Sequence, residues 1–145
     1  MNSTKNVVLL VEDNESHYVL IERGMSQSQM EFNLIRVQDG EEALEYLRNI
    51  YDPENSNPKP KLILMDLRLP RMDGLDVLKT IKKSDELWDI PVVVLTSSMA
   101  EPDIVRAYHY HANGYLVKHI DYSDFKEQIT DTVKYWLKWN ITPLQ

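Results

Sequence analysis

Four consecutive apolar residues, Leu62-Ile63-Leu64-Met65, run straight into a carboxylate, Asp66. A run so short and so uniformly apolar is a strand covered on both faces, the pattern of a parallel sheet. It puts Asp66 at the strand's C-terminal end, the edge at which open α/β sheets bind their ligands. Pro70 and Asp73-Gly74 mark a turn, and a helix follows with Leu75, Val77, Leu78 and Ile81 apolar and Lys79, Lys82 and Lys83 outside. A carboxylate in that place can also simply cap a loop, so the weight falls on the other strand ends.

Val7-Val8-Leu9-Leu10-Val11 is a second buried strand, and it ends in Glu12-Asp13-Asn14. The next segment has helical spacing, with Val19, Leu20, Ile21 and Met25 on its apolar face and Gly24 as a weak point. Phe32 to Val37 alternates like a strand near an edge, Asp39-Gly40 is a turn, and Glu41 to Ile50 is a helix with Ala43, Leu44 and Leu47 on one side. Pro53, Pro58 and Pro60 with Asn55-Ser56-Asn57 make Tyr51 to Lys61 a surface loop. Pro91 opens the strand Val92-Val93-Val94-Leu95, which ends at Thr96-Ser97-Ser98. Pro102 suits the first turn of a helix whose buried face is expected to carry Ile104, Tyr108 and Ala112, closed by Asn113-Gly114. Tyr115-Leu116-Val117 is a short strand ending at Lys118, and Asp121 or Ser123 caps a last helix reaching about Trp139.

Strand and helix alternate throughout, which predicts a doubly wound α/β fold with a parallel sheet and right-handed crossovers. The five strands suit the order 2-1-3-4-5 of the flavodoxin-like arrangement, in which strands 1 and 3 are neighbours at the switch point. One domain over 1–145 is expected, with 140–145 as a C-terminal tail. The net charge of −7 argues against a nucleic-acid-binding module. The absence of cysteine excludes disulfides, thiolate metal sites and thiol catalysis. Residues 1–6 lead into an apolar run of only five residues, too short for a signal segment or a membrane span, so a cytoplasmic protein is expected.

Glu12, Asp13 and Asp66 on one sheet edge repel one another unless a cation joins them. Oxygen-only donors select a hard divalent ion, and Mg²⁺ takes one or two carboxylates, carbonyls and waters. Asp13 and Asp66 are the natural ligands, with Glu12 helping directly or through water. Asp66 is then placed as a nucleophile toward a phosphoryl group, with the Thr96 hydroxyl and the Lys118 ammonium as donors to its oxygens. Each of these groups has an ordinary alternative as a cap or turn residue; all of them meeting by chance on one edge is far less plausible. His109 and His111 are not a metal pair, because residues two apart on a helix point about 200° away from each other.

The motifs Val11-Glu12-Asp13-Asn14, Leu64 to Gly74, Leu95-Thr96-Ser97 and Asn113 to Lys118 together resemble the receiver domain of bacterial two-component response regulators. The resemblance implies that Asp66 accepts a phosphoryl group from a histidine kinase. It implies that Asp13, Asp66 and the backbone carbonyl of Arg68 hold Mg²⁺, assisted by Glu12, and that Thr96 and Lys118 contact the phosphoryl group. Tyr115 matches the aromatic position that turns inward with Thr96 in the active state. The family usually has proline after the lysine, often with a cis bond; here the pair is Lys118-His119. A cis bond before a non-proline residue costs about 2.5–4 kcal/mol, which leaves a trans bond with a different loop or a strained one. No output domain of its own is expected. The long second-helix loop and the aromatic tail resemble the small regulators paired with cyanobacterial phytochrome kinases. A haloacid-dehalogenase-type phosphatase would need an acid where Arg68 stands, and a flavin binder would need a phosphate loop where Glu12-Asp13 stands.

The last helix predicts a homodimer. At about 100° per residue Phe125, Ile129, Val133 and Trp136 form a core-facing stripe, Leu137 lies near 120° on that side, and Tyr135 and Trp139 extend the apolar arc to about 200°. That is wider than docking on one sheet requires, and excess aromatic surface marks a partner site. The expected interface is the face of helix 4, strand 5 and helix 5, unless the tail Ile141 to Leu144 folds back over Tyr135 and Trp139.

Overall fold

The computed structural model describes residues 6–54 and 56–143. Residues 1–5, Asn55, Leu144 and Gln145 lie outside the described residues, and with them parts of the N-terminal segment, the 51–61 loop and the expected tail. The chain runs β1 (Asn6–Val11), α1 (Glu15–Gln27), β2 (Phe32–Val37), α2 (Gly40–Arg48), a 3-10 turn (Asn49–Tyr51), β3 (Leu62–Met65), α3 (Gly74–Lys83), β4 (Val92–Thr96), α4 (Glu101–His109), β5 (Gly114–Val117), α5 (Tyr122–Lys134) and a π-helical turn (Tyr135–Trp139). The sheet is wholly parallel in the order β2-β1-β3-β4-β5, as the alternating pattern predicts.

Successive strand residues face opposite sides, and each side has its own core. Leu9, Val11, Ile63, Met65, Val92 and Val94 pack under α2, α3 and the Ala107 side of α4. Val8, Leu10, Leu62, Leu64, Val93 and Leu95 pack under α1 and α5, against Ile21, Met25, Phe125, Ile129 and Val133. Gly24 is more than a weak point in α1. A Cβ there would lie 2.8 Å from both the Ile129 Cβ and the Lys126 carbonyl oxygen, so the glycine lets α1 and α5 approach closely. The Thr130 hydroxyl donates across that contact to the Gly24 carbonyl at 2.7 Å.

Several expectations about helix faces and helix ends fail, each for a physical reason. On α4 the buried residues are Asp103 and Ala107, while Tyr108 is exposed; an ion pair described below lets the carboxylate go inside. Asn113-Gly114 does not close α4. The helix ends at His109, His111 takes the left-handed turn with φ 70°, and Asn113 ties down β4 through both its N–H and its side-chain oxygen to Val92. In the last helix Leu137 is buried and Trp136 only half-buried, because the wide π turn rotates Leu137 to follow Val133 into the core. The tail does not cover the aromatics beside it: Tyr135 and Trp139 stay 51% and 67% exposed, and Asn140–Pro143 line a 460 Å³ cavity with Trp88 and Pro91 at the far edge of the sheet from Asp66.

Lys82, expected outside, is another. Its ammonium folds inward and donates to the carbonyls of Trp88 and Ile90 at 2.9 and 2.8 Å, and burial pushes it down to about 8 from its ordinary 10.5. A cation whose folded pKa is lowered is held less tightly by the folded than by the unfolded chain. Between about 8 and 10.5 the unfolded state therefore binds more protons, and this group's contribution to stability rises with pH. The stability difference between the wild-type chain and Lys82→Met, followed by urea unfolding, is expected to shift in favour of the wild type across that window; a pH-independent difference would contradict it.

Candidate functional site

The pairing of β1 with β3 sets Val11 opposite Met65, and the Asp66 N–H donates to the Val11 carbonyl at 3.1 Å. Glu12 and Asp66, each one residue past its strand, therefore emerge side by side. Thr96 is the last residue of β4 and is fully buried; Lys118 follows β5, and its N–H donates to the Thr96 carbonyl at 2.8 Å. The five polar residues singled out at strand ends thus lie on one edge. Carboxylate oxygens of Glu12, Asp13 and Asp66 all come within 4.8 Å of one another.

Asp66 is 8% exposed and Glu12 1% exposed, while Asp13 faces solvent. The Lys118 ammonium bridges the two buried carboxylates, at 2.7 Å from Glu12 Oε1 and 2.9 Å from Asp66 Oδ2. The other Asp66 oxygen accepts from the Arg68 N–H at 3.2 Å. The second Glu12 oxygen accepts from the Asn14 N–H at 3.1 Å. Burial pushes the Glu12 carboxyl above its ordinary range, against the opposing pull of Lys118. The peptide bond from Lys118 to His119 is trans, as are all the described bonds, so the loop accommodates the missing proline without a cis bond.

Two features escaped the sequence. The first is His17, in the first turn of α1, whose Nδ1 lies 2.8 Å from the Lys118 ammonium. The second is a network that leaves the site toward α4. The Arg68 guanidinium donates to Asp103 Oδ2 at 2.7 Å, and the Ser98 hydroxyl donates to the same oxygen at 2.6 Å. The Tyr115 hydroxyl donates to the Ser98 carbonyl at 3.0 Å, with the ring half-buried. The Arg68 side chain therefore points away from the carboxylate cluster and joins the β3–α3 loop to the start of α4. Two loops, a helix and a strand contribute one residue each to this network, and no spacing in the sequence announces it.

Three carboxylates against one ammonium leave an excess of negative charge in a cluster of oxygen donors, and such donors fit a hard divalent cation. Together with the parallel 2-1-3-4-5 sheet, this site is that of a receiver domain. The model of the response regulator receiver domain matches residues 8–130, and the chain belongs to that family. Among curated relatives it is 42% identical over 137 residues to the probable methanogenesis regulatory protein FilR2 of Methanothrix harundinacea (strain 6Ac), covering 94% of this chain and 87% of that protein. It is 39% identical over 132 residues to the response regulator Rcp1 of Synechocystis sp., covering 91% and 89%. The Mn²⁺-bound form of Rcp1 superposes with a TM-score of 0.88, at 38% identity over 96% of this chain and 99% of that one. The phosphorylated cyanobacterial phytochrome response regulator RcpA superposes at 0.89, with 36% identity and coverage of 97% and 100%. A cyanobacterial phytochrome response regulator is thus among the close structural relatives of this chain. No helix among the described residues is long and apolar enough to cross a membrane.

Proposed function

We propose that Asp66 accepts a phosphoryl group from a histidine kinase in a Mg²⁺-dependent step, and that the chain signals by the conformational switch that follows. The observation that carries this is the Asp66 carboxylate, buried at a strand end between the Lys118 ammonium and the acidic pair Glu12-Asp13. Asp13, Asp66 and the Arg68 carbonyl, with Glu12 beside them, would hold the ion. When bound, it supplies positive charge opposite the oxygens of the incoming phosphoryl group.

In the transfer, an Asp66 oxygen gives an electron pair to phosphorus while the bond from phosphorus to the kinase's imidazole nitrogen breaks and the pair returns to that ring. Lys118 turns from the Asp66 oxygen to a phosphoryl oxygen. The Thr96 hydroxyl, now accepting from the Ser98 N–H at 3.3 Å, turns to donate to another. The space Thr96 leaves lets the Tyr115 ring move in, breaking its bond to the Ser98 carbonyl. The new phosphoryl contacts supply the differential free energy such a shift requires. Acetyl phosphate with Mg²⁺ is expected to add one phosphoryl mass to the wild type and none to Asp66→Asn; equal labelling of both would remove Asp66 from the role.

The likeness to RcpA and Rcp1 supports a kinase of the phytochrome type as the donor. Transfer from a phytochrome kinase, with a histidine kinase lacking that photoreceptor as the comparison, tests it; preferential transfer from the second would overturn it. The exposed Val105 and Tyr108 on α4 and Tyr135 and Trp139 beyond α5 support a homodimer across the α4-β5-α5 face. Sedimentation at micromolar concentration is expected to give a dimer that Tyr135→Glu with Trp139→Glu turns into monomer, and a wild type that is monomeric with and without beryllofluoride would rule it out.

A further inference from the structure

A lysine ammonium carries three N–H donors and accepts nothing. The Lys118 ammonium spends one on Glu12 Oε1 at 2.7 Å and one on Asp66 Oδ2 at 2.9 Å. The third falls to His17 Nδ1 at 2.8 Å. Because the partner only donates, Nδ1 must carry the ring's lone pair, and the ring proton sits on Nε2. Burial first, and then the Lys118 charge, push the imidazole below its ordinary range. The residue is held at its backbone and at its ring. Its own backbone N–H donates to the Asn14 side chain at 3.0 Å, which starts α1, and its plane meets the Phe125 ring edge-on at 5.9 Å.

We propose that His17 is a positioning residue for Lys118: with Glu12 it holds the ammonium on a pivot while the remaining N–H turns from Asp66 to a phosphoryl oxygen. This rests on Asp66 being the phosphoacceptor. Glu12 and Asp66 are both anions, and between two anions alone the ammonium settles where it is drawn hardest. Its third donor would then be left without a partner in a side chain only 4% exposed. A neutral acceptor on the α1 side fixes the direction of the lysine without adding to the negative charge that a phosphoryl group must approach. His17 occupies no position in the carboxylate cluster, so its part is to place the lysine and not to touch the phosphoryl group.

Two substitutions separate placement from space-filling. His17→Asn puts an oxygen where Nδ1 stands but loses the ring against Phe125; His17→Phe keeps the ring and loses the acceptor. Two measurements read them: the Lys118 ammonium signal in ¹⁵N NMR, visible only when its protons are held, and the limiting rate of phosphorylation by acetyl phosphate at saturating Mg²⁺. The signal is expected to persist in His17→Asn and vanish in His17→Phe. The limiting rate is expected to stay near wild type in the first and fall roughly tenfold in the second, the kind of loss that a misplaced catalytic group brings. The half-saturating acetyl phosphate concentration should change little. A His17→Phe protein that keeps signal and rate overturns the proposal, as does equal loss in both variants. A wild type that shows the held ammonium but takes no phosphoryl group removes the phosphoacceptor reading itself, and this role with it.

Discussion

Lys118→Met is expected to cost about 3–5 kcal/mol of folding stability in metal-free buffer, the range found when one partner of a buried ion pair is removed. The substitution keeps the length of the side chain and deletes only its charge and donors. What it leaves behind is Glu12, 1% exposed, facing Asp66, 8% exposed, with no cation between them. Burial already raises the Glu12 carboxyl in the wild type, with Lys118 as the main opposing influence. Without that influence the carboxyl rises further. A carboxyl raised in the folded state is favourable when protonated, so the stability it contributes is present at low pH and lost as pH rises through its folded value. The deficit of Lys118→Met should therefore shrink as pH falls toward the ordinary carboxyl value of 4.5. It should shrink at neutral pH when Mg²⁺ is added, because an ion that binds only the folded chain stabilises it, and more so where no ammonium competes for the same oxygens. Urea unfolding with and without Mg²⁺ measures both. A loss below about 1 kcal/mol that ignores pH and metal would mean that Lys118 is not the counter-charge of the acidic cluster.

The strands and their order were readable because a parallel strand under two layers of helix must be apolar throughout, and a polar residue can appear only where it ends. That constraint makes Glu12, Asp13, Asp66, Thr96 and Lys118 conspicuous, and the sheet gathers them on one edge. It says nothing about helices and loops that reach the site from the side. His17 sits in a polar first turn of α1, where a histidine has no local mark of use. Asp103 draws no notice on α4 when apolarity stands in for burial, which puts Ile104, Tyr108 and Ala112 on the inner face. It is inside because Arg68, from a loop after a different strand, and Ser98 together satisfy it. Leu137 was misplaced for another reason: a period of 100° per residue holds for an α-helix, and the chain changes to a π turn at Tyr135.

Gly74→Ala carries the second large effect, and its sign runs against helix propensity. Gly74 is the first residue of α3, and alanine is worth about 1 kcal/mol more than glycine in a helix interior. The glycine does not adopt a left-handed conformation, so backbone freedom is not the reason for it. The reason is contact. A Cβ on Gly74 would stand 2.5 Å from the Asp66 carbonyl oxygen and 2.7 Å from the Leu67 Cα. Both are backbone atoms of the turn that carries the candidate phosphoacceptor, and neither can swing aside as a side chain would. The Gly74 N–H donates to the Leu67 carbonyl at 3.0 Å, so α3 begins directly on that turn. Adding a methyl group must drive the turn and the helix apart, at about 3 kcal/mol, the upper part of the usual range for overpacking. The displacement falls on Asp66, so uptake of phosphoryl from acetyl phosphate should slow as well. Gly114→Ala is the matched control. A Cβ there meets only the Val93 methyls at 3.7 Å, an ordinary contact, and little change is expected. Urea unfolding of the two variants side by side decides the matter, since a Gly74→Ala protein as stable as Gly114→Ala would show that the turn behind Asp66 opens freely.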